Sequence, residues 1–309
     1  MTRQQLKIMR RLDLGLPALC LLMFLCFLLV GRAEAMRYEA GFDKANWESE
    51  SSIFECRMSQ MVPDYGQVVF YRRAGEKQQF FLDTKTIFFK RGRGALQITG
   101  PVWKPRSPVQ NLGYIDVVES KRPVTLGPKL SERIMSELGK GQQVVITRKP
   151  WYGANESLSV AFNSLNYRPV YDNYLSCVAG LLPVNFDQVE RTTLHFGGSK
   201  ETLSKQQRAS LDRIVIYAKA DNEVTTYYVD GHTDSRGIMA ENLELSKKRA
   251  EQVADYLLRA GLDKNKIQVR WHGERYPVAS NRSPKGRAAN RRVTVRLEKG
   301  EPSMDVASR

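Results

Sequence analysis

Two hydrophobic periodicities divide this chain. Between residues 67 and 162 apolar and polar positions alternate in short runs. They predict strands at Gln67–Arg72, Gln79–Leu82, Thr86–Phe89, Leu96–Thr99, Tyr114–Val118, Val144–Arg148 and Leu158–Phe162. Gly75, Gly92, Gly94, Pro101, Pro105 and Pro108 interrupt these runs, as turns require. Helical spacing interrupts twice, over Lys129–Leu138, stopped by Gly139, and over Tyr171–Leu182, stopped by Pro183. From about Val184 the pattern changes. Strands at Thr192–Phe196, Val224–Val229, Ile267–Trp271 and Arg292–Leu297 now alternate with helices over Thr202–Ala220 and Asn242–Ala260. The expected fold is α+β in two domains: a β-rich unit over 36–182, then a compact α/β sandwich over 184–298. Residues 299–309 read as a flexible tail.

The first 35 residues stand apart from both patterns. Arg3, Lys7, Arg10 and Arg11 precede an uncharged apolar run from Leu14 to Val30, and Ala33-Glu34-Ala35 follows with small residues at the −3 and −1 positions of a signal-peptidase site. The run is near the border between a long signal-peptide core and a short membrane span. Pro17 and the small-residue pattern favour a signal peptide cleaved after Ala35 over a retained anchor. Neither Cys20 nor Cys26 follows the small residue that lipid attachment would need. Export leaves only Cys56 and Cys177. In an oxidising compartment these read most simply as one disulfide, with two free buried thiols as the alternative. Such a bridge would place residues 56 to 177 in one domain.

Composition narrows the function. With 309 residues, 42% of them apolar, the chain has ample material for a buried core, which excludes a wholly disordered protein. The net charge is +15, and loss of residues 1–35 would lower it to +12 by removing five basic and two acidic residues. That excess leaves anionic partners open, but export makes nucleic acid an unfavourable choice. All three histidines lie in the second half, and the first half shows no catalytic constellation. Its residues read as a binding or docking module.

The informative chemistry lies in Val229-Asp230-Gly231-His232-Thr233-Asp234-Ser235-Arg236-Gly237 and the helix that follows it, with Asn242, Leu245, Ser246 and Arg249. At about 100° per residue, Asn242, Ser246 and Arg249 share one narrow arc. Ala250, Val253, Ala254 and Leu257 form the apolar arc beside it. A strand-end acid and a helix arginine placed this way can clasp a zwitterion, Asp234 taking an ammonium and Arg249 a carboxylate. An internal Asp234–Arg249 salt bridge that orders the loop explains the same spacing, and the residues alone do not choose. His232, Asp234 and His272 lack the spacing of a metal site. No nucleophile–base set or carboxylate pair of a wall hydrolase is recognisable. The chain is therefore expected to be no enzyme and to need no cofactor.

The strings GHTDSRG and NLELSKKRA, with GRAANRRV at Gly286–Val293, resemble the C-terminal peptidoglycan-binding domain of the outer-membrane protein A family over about Val184–Glu298. The resemblance implies an OmpA-like α/β sandwich in which Asp234 and Arg249 hold the diaminopimelate side chain of the stem peptide. It implies that Thr233, Asn242, Leu245, Ser246, Asn290 and Arg292 line or support the groove. His272 departs from the aromatic or aliphatic residue common there. Trp47, Glu55-Cys56-Arg57-Met58-Ser59, Tyr65-Gly66, Arg72-Arg73-Ala74-Gly75, Trp103-Lys104-Pro105, Ile134–Gly141 and Tyr174–Leu182 resemble the N-terminal domain of the MotY family of flagellar motor proteins. What this implies is a periplasmic component of a T-ring at the basal body, which binds MotX and supports assembly of stator units. The rival expectation keeps the wall domain and drops the motor, making the protein a general tether between envelope and peptidoglycan.

Overall fold

The computed structural model describes residues 36–300 except 102, 105, 106, 154 and 155. The expected signal peptide, its cleavage after Ala35, Pro105 and residues 301–309 of the expected tail lie outside the described residues. None of the described helices is long and apolar enough to cross a membrane.

Alternation builds the first half into two facing sheets. One contains β1 (Arg37–Glu39), β10 (Leu158–Phe162), β9 (Gln143–Arg148), β6 (Gly92–Thr99) and β7 (Gln110–Val117), in that order. The other contains β2 (Trp47–Ser51), β3 (Glu55–Val62), β4 (Gly66–Arg73), β5 (Gln79–Thr84) and β8 (Thr125–Leu126). Along β3, Cys56, Met58, Gln60 and Val62 all bury completely, every second residue entering the core. The sheets meet through aromatic contacts, Phe80 stacking on Phe162 at 5.5 Å and Trp47 lying edge-on to it at 6.5 Å. Gln60 is polar yet buried, because both ends of its amide pair with the backbone of Asn163 at 3.2 and 3.3 Å. Its polarity, and that of Arg57 and Ser59, hides β3 from a search for apolar runs.

Two helices close this unit. In α1 (Pro128–Gly139), the proline occupies the first turn, where its missing N–H costs nothing. The second, α2, runs over Tyr167–Ala179 and not over Tyr171–Leu182 as expected. It starts early because Pro169 falls within the first turn. It stops early because Leu182 donates its N–H to the carbonyl of Ile53 at 3.0 Å and so leaves the helix. The expected strand at Thr86–Phe89 is also absent as such. This segment makes a single bridge, Phe89 to Pro150, and the carbonyls of Lys90 and Arg91 beyond it accept from the Arg148 side chain. Cys56 on β3 and Cys177 on α2 are bonded, with Cα atoms 6.0 Å apart.

A short helix, α3 (Phe186–Val189), opens the second half with a capping box between Asn185 and Gln188. Four strands follow in the order β11 (Arg191–His195), β14 (Arg292–Lys299), β12 (Val224–Gly231), β13 (Ile267–Trp271). Between them run α4 (Lys205–Ala220), α5 (Met239–Arg259) and the short α6 (Pro284–Asn290). The α5 crossover joins β12 to β13, which pair in parallel, as such a connection demands. Leu211, Ile214, Ala250, Val253 and Leu257 from the helices bury against Val229, Val293 and Val295 from the sheet. Strand β14 reaches Lys299, one residue past the expected boundary, because its ammonium pairs with Asp221 at 2.7 Å and Glu223 at 3.2 Å.

The two halves have separate cores but a built junction. Asn185 donates to the Ala74 carbonyl at 3.0 Å and to Glu76 at 2.9 Å, while Gln188 donates to Gly75 at 3.1 Å. Arg73 pairs with Asp187, and Phe54 packs on Tyr217 at 5.8 Å. Breaking the Cys56–Cys177 bond frees a loop of about 120 residues in the unfolded chain, worth about 4–5 kcal/mol in the chain-entropy account. The Cys56→Ser, Cys177→Ser variant is therefore expected to melt well below the oxidised wild type in calorimetry. Equal melting temperatures would remove the bond from the stability of this half.

Candidate functional site

The site begins with a steric requirement on β12. Gly231 has no Cβ, and one placed there would lie 2.1 Å from the carbonyl oxygen of Ser246. Its absence lets α5 pass directly over the end of β12. The loop after Gly231 then meets the first half of α5. Thr233, Asp234, Arg236 and Gly237 from the loop, with Asn242, Leu245 and Arg249 from the helix, line a cleft of about 280 Å³. Gly198 and Ser199, between β11 and α4, close one side, and Arg291 enters from the end of α6.

Arg249 is the largest completely buried side chain of the described residues. Its Nε donates to the Lys200 carbonyl at 2.9 Å, and its Nη2 donates to the carbonyls of Gly197 and Gly198. The guanidinium lies 5.1 Å from the centre of the Phe196 ring. Its Nη1 is buried without a hydrogen-bond partner, and so is Oγ1 of Thr233. Burial, reinforced by the neighbouring charge of Arg291, pushes the guanidinium down to about 10, so it stays cationic at neutral pH. Nη1 is thus an unpartnered cationic donor beside the cleft, with capacity for one further acceptor.

Asp234 supplies the opposite charge, but its partner is not Arg249. Its Oδ2 pairs with Nη1 of Arg291 at 2.7 Å and its Oδ1 accepts from the Arg236 backbone at 3.2 Å. The internal Asp234–Arg249 bridge weighed from the spacing is not formed. The ion pair that orders the loop uses Arg291, a residue the sequence reading passed over in favour of its neighbour. Alternation along the strand that follows would have separated Arg291 from Arg292, but only with the strand's first residue known.

The remaining expected residues divide by what they touch. Asn242 reaches the cleft while its amide donates to the Arg236 carbonyl at 3.1 Å and to Glu274 at 2.9 Å. Leu245 gives the cleft an apolar wall. Ser246, Asn290 and Arg292 are buried and support the site from behind. The Ser246 hydroxyl donates to the Leu243 carbonyl at 2.7 Å and accepts from Gly273 N–H at 2.9 Å. Asn290 makes four bonds, accepting from Val278 and Ala279 and donating to the Ala279 carbonyl and to Asn281. Arg292 donates to the carbonyls of Tyr276 and Asn290 at 3.2 and 3.4 Å. His232 and His272 stack at 4.8 Å, and it is Asp230, not Asp234, that meets His272, at 3.1 Å.

Comparison with known proteins follows the same division. Residues 38–183 match the MotY N-terminal domain, and residues 195–291 match the OmpA family. Over 267 residues the chain is 28% identical to the sodium-type flagellar protein MotY of Vibrio parahaemolyticus, covering 84% of this chain and 90% of that one. The chain is a homologue of MotY. Its second half is also 39% identical over 102 residues to outer membrane protein A of Bordetella avium, a match that takes in 33% of this chain and 52% of that protein. Among solved structures it is similar to the peptidoglycan-associated lipoprotein from Burkholderia pseudomallei, at 27% identity over 34% of this chain and 89% of that one, with a TM-score of 0.33. All the cleft residues of this MotY homologue, from Gly198 to Arg291, fall inside the segment matched to the OmpA family.

Stability behind the cleft depends on pH through His232. Burial first, and then the charge of Arg292, pushes its imidazole down to about 4 from the ordinary 6.5. The unfolded chain therefore binds the extra proton more readily, and stability falls as pH drops from 6.5 towards 4. Between pH 7.5 and 5 the loss from this group is about 2 kcal/mol. Replacing His232 by Gln is expected to flatten the melting temperature over this range. An unchanged slope would mean that the imidazole titrates normally.

Proposed function

We propose that this protein is a non-enzymatic component of the flagellar motor that works in the periplasm and grips the cell wall. In this reading the second half holds the diaminopimelate of the peptidoglycan stem peptide. The free Nη1 of Arg249 takes the side-chain carboxylate and Asp234 takes the ammonium. Thr233, Asn242 and Leu245 shape the groove, while Ser246, Asn290 and Arg292 hold its walls. The first half docks at the basal body, in a T-ring with a MotX-like partner, and supports the assembly of stator units. A signal peptide removed after Ala35 delivers the chain to that compartment.

One observation carries the wall-binding part: a buried arginine with an unsatisfied donor and a carboxylate share one cleft of a size for a single amino-acid head group. Binding requires exchange as well as addition. An incoming ammonium takes Asp234 from Arg291, and Arg291 then has its charge free for a second carboxylate of the same ligand. The motor part rests on similarity along nearly the whole chain to a flagellar protein, with both domains in the same order.

Two measurements test the two parts separately. Asp234→Ala and Arg249→Ala are each expected to abolish co-sedimentation with purified peptidoglycan. The Asp234 variant should keep its melting temperature within a few degrees. The Arg249 variant should lose roughly 2–3 kcal/mol as well, because three backbone carbonyls lose a charged donor. Normal pelleting by the folded Asp234 variant would sink the clasp. For the motor, a deletion strain should build filaments yet swim poorly or not at all. Normal swimming would leave only the general envelope tether.

A further inference from the structure

The first half carries an apolar groove that the wall-binding cleft does not use. Its volume is about 520 Å³. Tyr38 and Phe88 form the floor, with ring centres 5.2 Å apart, and both are only partly exposed. Met36, Ile87, Trp151 and Tyr152 form the walls and are between 40% and 54% exposed. The walls are held in place by the backbone. Trp151 donates its N–H to the Phe88 carbonyl at 2.9 Å, and Lys90 donates to the Lys149 carbonyl at 3.0 Å. Such a concentration of exposed aromatic side chains is unusual for a free surface.

Two further features surround it. The first is a strand edge. Met36 and Tyr38 belong to β1 and its approach, and β1 is the end strand of its sheet, pairing only with β10 among the described residues. Its outer backbone groups are available to another strand. The second is charge. Lys85, Lys90, Lys121 and Lys149 are all exposed on the segments that form or abut the groove, against Glu119 on its wall. Lys121 is tied in through its carbonyl, which accepts from Thr84 N–H at 2.8 Å. The exposed Asp64 adds a second carboxylate near Tyr38, and Asp83 is faced by Arg122 at 3.7 Å, so the four lysines still outnumber the unpaired acids of the rim.

We infer that this groove is a docking site for an extended, acidic segment of a partner protein, added beside β1 as a further strand. Backbone bonds to β1 supply affinity without regard to sequence, and alternate side chains supply specificity. Apolar residues at every second position enter between Trp151, Tyr152 and Phe88, and acidic residues meet the lysine rim. The short β1 matches a segment of about four to six residues. A bilayer would also suit aromatic and basic residues together, but lipid insertion needs apolar groups that project. Here the apolar surface is concave and its floor is recessed.

The test uses the full chain in its own cells, with a photo-crosslinking amino acid at Tyr152 and, as control, at Tyr114 on β7, the opposite edge of the same sheet. The expected result is a protein adduct at position 152 with at least fivefold the yield at 114. The cross-linked peptide, sequenced by mass spectrometry, should be acidic with alternating apolar residues. The Lys85→Glu, Lys149→Glu variant should lower that yield at least fivefold while pelleting with peptidoglycan is unchanged, so the outcome is independent of the wall clasp. An adduct with phospholipid or with residues 1–35 of the chain itself would overturn the inference. So would a basic peptide, equal yields at the two positions, or a yield insensitive to charge reversal.

Discussion

The second half depends on where one guanidinium is buried. Arg249 is fully removed from solvent, yet three backbone carbonyls of residues 197–200 receive its Nε and Nη2 donors. Removing a cation from water is costly unless its donors are met, so the loop after β11 is held to α5 by that requirement. The same bonds orient the side chain and leave Nη1 unmatched at the cleft. The structural role and the proposed ligand-facing role therefore fall on one residue. A lysine could not divide itself this way, because it lacks a planar fork with donors on separate edges.

Around that arginine the supporting groups act at one remove. Gly231 lets α5 close on β12, and Ser246 then spans from the Leu243 carbonyl to the Gly273 amide. Asn290 ties the loop at 278–281 to the end of α6, from which Arg291 reaches Asp234. The Asp234 carboxylate is thus held in an ion pair on the wall of the cleft. Its partner is a side chain 21% exposed, not a buried one, so a competing cation can displace it.

The first half is organised by different means. Two sheets share an aromatic core, and the Cys56–Cys177 bond fastens α2 to β3 close to where the chain leaves for the second half. Asn185, Gln188 and Arg73 then bind that exit to the β4–β5 turn. A load applied to the cleft of the second half would pass through polar contacts and the Phe54–Tyr217 packing into a disulfide-braced unit. A pliable linker would not transmit it in this way.

Local pattern determined much of this protein. Strand and helix periodicity placed all four described strands of the second half, and the expected export signal with two remaining cysteines pointed to the bond between Cys56 and Cys177. Helical spacing brought Asn242, Ser246 and Arg249 to one line, since that geometry is set within two turns. Tertiary structure alone decided the partners. Asp234 pairs with Arg291 from a distant helix end, and Ser246 and Asn290 spend their bonds on backbone. The strand β3 was masked by Gln60, whose burial is tolerable only because Asn163, about a hundred residues away, meets its amide. Periodicity reports which face of an element is covered. Which group satisfies a buried charge or amide depends on what the rest of the chain brings there.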